Sequence, residues 1–287
     1  MRAAPTLLVL AASLLCAPVA VALNEYGIED MGVVSTRADE GRASLSADGQ
    51  RIVFARHGEG GWALWQARWI EGRWQQAAAL PLDLPGEARD PYFSRDGRWL
   101  LFAAGGDGRH ALQRVAVQAD GSLGTLQGLA GDGGRQPERG PALSADGRWL
   151  LFARQQGRSH GMDLFVAAVD AEGRRGAARP LAGLNSEDDE TDGDWLGSQG
   201  AVVFSRSRGT ASQVWTSACG LDNTPPQPLP LSFNQTGGWT GAPVVDNAKP
   251  GELLVASSAA RAPRPGGVDV YRLAAPKVAA VEGCLER

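Results

Sequence analysis

The decapeptide Ser94-Arg95-Asp96-Gly97-Arg98-Trp99-Leu100-Leu101-Phe102-Ala103 returns almost unchanged as Ser144-Ala145-Asp146-Gly147-Arg148-Trp149-Leu150-Leu151-Phe152-Ala153, and an earlier copy reads Ser46-Ala47-Asp48-Gly49-Gln50-Arg51-Ile52-Val53-Phe54-Ala55. An internal repeat of this length, a turn motif followed by a buried strand, is the mark of an array of small sheets, and of a propeller in particular. In Ser-x-Asp-Gly the short polar side chains hydrogen-bond the local backbone and Gly supplies the positive φ of a tight hairpin. The apolar run that follows suits a strand covered on both faces by neighbouring sheets.

Weaker copies extend the series. Val202-Val203-Phe204-Ser205 follows Ser198-Gln199-Gly200, and Leu253-Leu254-Val255-Ala256 follows Lys249-Pro250-Gly251. Phe54, Phe102, Phe152, Phe204 and Val255 are 48, 50, 52 and 51 residues apart. A third strand with an aromatic residue is expected at Leu64-Trp65, Leu164-Phe165, Val214-Trp215 and Val270-Tyr271, with Val115 in that slot of the second unit. Pro91, Pro141 and Pro243 mark the start of the first strand in three units. The expectation is an all-β chain, a β-propeller of five blades of about fifty residues spanning 41–275, with strands a to d in each blade and d the weakest. Six blades is the alternative count: residues 25–35 and 278–285 either complete the fifth blade as its outer strand or together form a sixth. The segment 23–40 and the tail 276–287 are thus candidate closing strands.

Units that combine Pro, an apolar strand, Ser-x-Asp-Gly, a second apolar strand ending in Phe and then an apolar-aromatic pair resemble the TolB-type, WD-like repeats of bacterial propellers. The resemblance covers roughly residues 41–275. It matches the propeller part of TolB, which stands behind a separate amino-terminal domain; here residues 23–40 precede the first unit. It implies a periplasmic propeller that binds other proteins.

A hydrophobic content of 43% with 38 glycines suits an all-β domain rich in turns. Trp99 and Trp149 sit at matched repeat positions, where blade packing is the expected use of a large ring. Residues 1–22 read as a secretory signal peptide, from a charged start at Arg2 through an apolar core at 7–15 to Ala20-Val21-Ala22. The apolar part is too short for a membrane span, so the mature chain is expected to carry no transmembrane segment and to be periplasmic or secreted. Without the signal two cysteines remain, Cys219 and Cys284, a candidate disulfide that would fasten the tail to the fourth unit. A formal charge of −4 does not provide the basic face that a nucleic-acid binder needs.

Antiparallel strands place the a–b turns on one face and the b–c and d–a connections on the other. The irregular segments fall on the second face, where binding is expected. All three histidines, His57, His110 and His160, belong to b–c segments. So do Arg56, Arg109, Arg154, Arg158, Arg206, Arg208, Arg261 and Arg264, a set that would form an anion-binding mouth if its side chains converged. Asp90, Glu138, Asp192 and Asp194 are the acids of the d–a connections. The candidate binding residues are accordingly Arg109, His110, Arg158, His160, Asp90, Asp192 and Asp194. The acidic run 187–194 reads as a solvated loop; a calcium site near Asp188, Glu190 and Asp192 is the alternative, and no other cofactor is expected.

No nucleophile elbow, zinc-protease helix or phosphate loop is present in the sequence. The expected function is a secreted or periplasmic binding or scaffolding module that recognises a periplasmic or envelope protein through its b–c and d–a face. The alternative is a propeller hydrolase acting on a glycan or small substrate at the channel mouth, using carboxylates from several blades.

Overall fold

The computed structural model describes residues 25–84, 86–129, 131, 136–157, 161–222, 224–258, 265–279 and 281–284. The signal-peptide reading of 1–22 lies outside them. The described chain is all β, in five sheets. After β1 (Glu25–Ile28), the first blade is built from β2 (Glu40–Leu45), β3 (Arg51–Gly58) and β4 (Gly61–Ile70), finished by the short β5 (Arg73–Trp74) and β6 (Ala78–Ala79). The second comprises β7 (Glu87–Phe93), β8 (Trp99–Gly106), β9 (Arg109–Ala116) and β10 (Gln127–Gly128). The third has β11 (Glu138–Leu143), β12 (Trp149–Gln155), β13 (Met162–Val169) and β14 (Arg175–Pro180). The fourth has β15 (Asp189–Leu196), β16 (Ala201–Arg208), β17 (Ala211–Ser217) and β18 (Gln227–Pro228). The fifth has β19 (Thr240–Val245), β20 (Glu252–Ser257) and β21 (Asp269–Ala274), and takes β1 as its outer strand.

The innermost strands β2, β7, β11, β15 and β19 follow one another around the axis, and β19 packs against β2 to close the ring. β1 pairs antiparallel with β21, so strands from both ends of the chain share one blade. This settles the blade count at five among the described residues. No helix among them is long and apolar enough to cross a membrane.

The repeat turns fold as their chemistry dictates. Ser94 Oγ donates to Asp96 Oδ1 at 2.6 Å, Asp96 Oδ1 accepts from Arg98 N at 3.0 Å, and Ser94 Oγ accepts from Trp99 N at 2.9 Å. The Ser46 and Ser144 turns repeat all three bonds. Gly97 closes the turn at φ 71°, a conformation that an L side chain resists. After each turn the apolar run is covered on both faces, and Phe54, Phe102, Phe152 and Phe204 are fully buried in the layers between blades. Trp99 and Trp149 are half-buried against this core under Arg114 and Arg179, at 4.1 and 5.6 Å from the ring centroids.

A second repeated device corrects the sequence reading. Arg56, Arg154 and Arg206 stand on strands β3, β12 and β16, not in b–c loops. Each reaches the first residue or two of its own inner strand: Arg56 to Glu40 at 2.8 Å, Arg154 to Glu138 at 2.9 Å and Arg206 to Glu190 at 2.8 Å. Their guanidinium planes lie over the repeat aromatics, among them Trp65, Phe165 and Trp215. In the second blade the paired positions hold Ala88 and Ala104, and in the fifth Thr240 and Ser257, whose hydroxyls are 2.9 Å apart. Both partners change together, because a lone buried charge would cost more than either matched pair.

Candidate functional site

Each innermost strand carries the same irregularity two or three residues in. The register shifts between Glu40 and Ala43, Arg89 and Tyr92, Arg139 and Ala142, Thr191 and Asp194, and Gly241 and Val244. Such a bulge bends the strand and re-aims a side chain. The left-handed residue is Asp90 at φ 57°, Gly140 at 61°, Asp192 at 51° and Ala242 at 53°. Aspartate tolerates that region better than most residues. Together with Arg42, which holds the matching place in the first blade, these residues surround the axis.

The result is a cavity of about 410 Å³ at the end of the channel that opens on the b–c and d–a side. Arg42, Arg89, Arg139, Asp39, Asp90, Asp189 and Asp192 form its charged wall, and Trp62 and Trp239 stand beside them. Arg139 lies between two acids, Nε 3.7 Å from Asp90 and Nη2 3.9 Å from Asp192. Arg89 Nε donates to Asp90 at 3.3 Å. Burial pushes the Asp90 carboxyl up, but Arg89, Arg139 and Arg42 together overcome it and hold the pKa below the usual carboxylate value. Burial likewise pulls Arg139 down, and Asp90, Asp192 and Asp189 more than reverse it. Asp90 is therefore kept ionised. Arg42, almost wholly buried, crosses the channel to donate from Nη2 to Gly193 O in the fourth blade at 3.0 Å.

The opposite end is crossed by side-chain hydrogen bonds between blades. Asn247 Nδ2 donates to Leu45 O and Phe93 O, both at 2.9 Å, which joins the fifth blade to the first and second. Arg95 Nη2 reaches Trp195 O in the fourth blade at 2.5 Å. Asp194 belongs to the wall between these ends: its carboxylate accepts from Trp195 N at 2.7 Å and Val245 N at 2.8 Å. Burial raises its pKa, against Arg95 and Arg42.

Of the residues singled out from the sequence, Asp90 and Asp192 meet at the mouth, and Asp194 does not line it. Arg109 is exposed at the tip of the β8–β9 hairpin. His110 is buried, with Nε2 3.6 Å from Glu87, and is unavailable at the surface. Arg158, His160, Arg261 and Arg264 lie outside the described residues. Arg208 is taken by Asp188 at 2.6 Å. The calcium reading is corrected by the same contacts: Asp188 faces Arg208, Glu190 is occupied by Arg206 and Ser186, and Asp192 turns to the channel. Among the described residues no group of three or more His, Cys, Asp or Glu is placed to hold a metal ion.

Arg42, Arg89, Arg139, Trp62 and Trp239 were missed. A signal for Arg42 exists in the sequence: counting four residues back from the Ser of each strong Ser-x-Asp-Gly copy gives Arg42, Asp90 and Gly140, a charge or glycine inside an otherwise buried strand.

His110 carries a pH prediction. Burial first, then Arg89, lowers its pKa below 6.5, against the pull of Asp90 and Glu87. The unfolded chain takes up this proton at about pH 6.5 while the folded chain refuses it, so stability falls as pH drops below that value. His110→Gln is expected to lose less stability than the wild type between about pH 7 and about pH 5, measured by urea unfolding. Parallel pH profiles would refute the assignment.

Fold and mouth together define a five-bladed β-propeller. No family model matches the chain, and no curated protein matches it. Among solved structures it is similar to a TolB candidate from Agrobacterium tumefaciens, at 12% identity and TM-score 0.54, over 84% of this chain and 91% of that one. It is similar also to a thermostable family-43 glycoside hydrolase, at 12% identity and TM-score 0.58, over 89% and 99% of the two chains. A third likeness is to a gluconolactonase from Xanthomonas campestris, at 15% identity and TM-score 0.51, over 85% and 88%. At these identities the likeness is one of fold.

Proposed function

We propose that this chain is a secreted or periplasmic propeller that binds its partner without transforming it, the partner being a periplasmic or envelope protein that meets the b–c and d–a face. The observation that carries this reading is the state of Asp90 at the mouth, held ionised between Arg89 and Arg139. A hydrolase working by acid–base chemistry needs a carboxyl that keeps its proton near neutral pH. Of the acids that burial raises, Asp194 is bonded to two backbone N–H groups in the wall, and Glu40 and Glu190 are paired with Arg56 and Arg206. The similarity in fold to a TolB candidate agrees with a protein partner. The test is capture from an envelope extract by the mature chain and by a rim variant, Arg109→Glu, which reverses an exposed charge away from the core. A protein retained by the wild type and lost from the variant supports the reading. Equal retention by both, or hydrolysis of a glycan by the purified chain, would overturn it.

A further inference from the structure

Four polar atoms on the cavity wall have no hydrogen-bond partner among the described residues: Arg42 Nε and Nη1, Arg139 Nε, and Asp192 Oδ1. Arg42 and Asp192 are 1% and 5% exposed. Their remaining polar atoms are used. Arg42 Nη2 donates to Gly193 O, and Asp192 Oδ2 accepts from Thr191 Oγ1 at 2.9 Å. Three donors and one acceptor, Arg139 Nε also 3.7 Å from Asp90, thus belong to residues that line one cavity from three blades.

We infer that this mouth is a binding site for a neutral sugar, a single ring or the end of a short glycan. The site goes beyond the protein-binding reading and does not depend on it. Charge decides against an anion: Arg42, Arg89 and Arg139 line the cavity with four aspartates, which leaves no positive excess to hold a carboxylate or phosphate. It also decides against a simple cation, because the unpartnered atoms are mostly donors. A hydroxyl is a donor and an acceptor at once. Ring hydroxyls therefore suit a wall that sets guanidinium donors beside carboxylate acceptors.

The aromatic residues supply the other half of sugar chemistry, a flat apolar surface for the C–H face of the ring. Trp62 is fixed by Arg89, 5.1 Å from its centroid, and by a T-shaped contact with His57 at 5.2 Å between centroids. Trp239 lines the cavity too. The volume, about 410 Å³, falls in the range of ~300–1,000 Å³ typical of small-molecule sites. Rigid supports on both the polar and the apolar side mean that little ordering is needed on binding.

The experiment titrates the mature chain with methyl glycosides of neutral hexoses and pentoses, and with the matching uronic acids and glutamate as charged contrasts. Tryptophan emission and calorimetry report binding. The expected result is saturable binding of at least one neutral glycoside at millimolar concentration or below, weakened about tenfold or more in Asp192→Asn, which loses a charged acceptor. Trp239→Ala, a change outside the ion pairs, should weaken the same glycoside, and thermal melting checks that both variants fold. No saturation by any neutral glycoside, binding confined to the charged ligands, or affinity unchanged in both variants would overturn the inference. Arg109→Glu should leave sugar affinity unaltered, so this site and the protein-binding rim fail or stand separately.

Discussion

Replacing Arg272 with alanine is expected to lower the unfolding free energy by about 3–5 kcal/mol, the cost of stripping a buried ionic cluster of its cation. Arg272 sits on β21 and binds three carboxylates: Glu29 at 2.7 Å, Glu252 at 2.6 Å, and Asp246. Glu29 follows β1, and its other oxygen accepts from Trp74 Nε1 of the first blade at 2.9 Å. One guanidinium therefore joins the outer strand of the fifth blade, its inner hairpin and, through Glu29, the neighbouring blade. In the alanine variant Asp246, 1% exposed at its side chain, would remain beside two other acids with only backbone donors of its own turn, from Ala248 N and Lys249 N, and the exposed Lys249 ammonium 3.8 Å from Glu252 to offset the charge. Urea unfolding followed by tryptophan emission measures the change. A loss under about 1 kcal/mol, the range of an exposed ion pair, would show that the cluster does not hold the ring. Arg272→Lys should fall between the two, since an ammonium keeps the charge but cannot serve three acids with a fork.

This clasp shows where sequence reasoning ends. The turns were legible because every bond in them is local: Ser94, Asp96 and Trp99 satisfy one another within six residues of chain, so composition and spacing suffice. The blade strands were legible because Leu100, Leu101 and Phe102 form a continuous apolar run, which needs cover on both faces. The Glu40–Arg56 pair and its copies stand a constant sixteen residues apart in three units. Yet Arg56, Arg154 and Arg206 come at the ends of apolar strands and read as loop cations. Only the register shows them facing a glutamate. The mouth was half legible. Asp90 and Asp192 were picked as acids of the right connections, but the bulges that turn them inward break the two-residue period from which strand faces are read. Arg42 and Arg139 belong to strands far apart in sequence, and their convergence follows from ring closure, which no spacing encodes.

The second large effect concerns the carboxy-terminal tail. Cys219 and Cys284 form a disulfide with Cα atoms 5.7 Å apart, closing a loop with a sequence separation of 65 residues. Cys219 follows β17 of the fourth blade, whereas Cys284 follows the last strand of the fifth, so the bridge spans the joint between them. The same joint holds an apolar layer of Val203, Val214, Leu253 and Leu273, with Val278 of the tail packed on it. Cross-linking a loop of this length restricts the unfolded chain by about 4 kcal/mol in the chain-entropy account. The folded side changes little when the bond is absent, because both cysteines are buried and a thiol is accepted as a small apolar group. The variant Cys219→Ala/Cys284→Ala is therefore expected to unfold at a clearly lower urea concentration than the wild type, with its slope against urea increased as the unfolded state expands. Burial adds a kinetic consequence: a reductant reaches the sulfur atoms only when the tail opens, so reduction of the folded protein should be slow and should accelerate in low urea. An unchanged midpoint in the double variant would place the stability of this joint in its apolar layer alone. Rapid reduction under native conditions would show that the tail opens readily from the fourth blade.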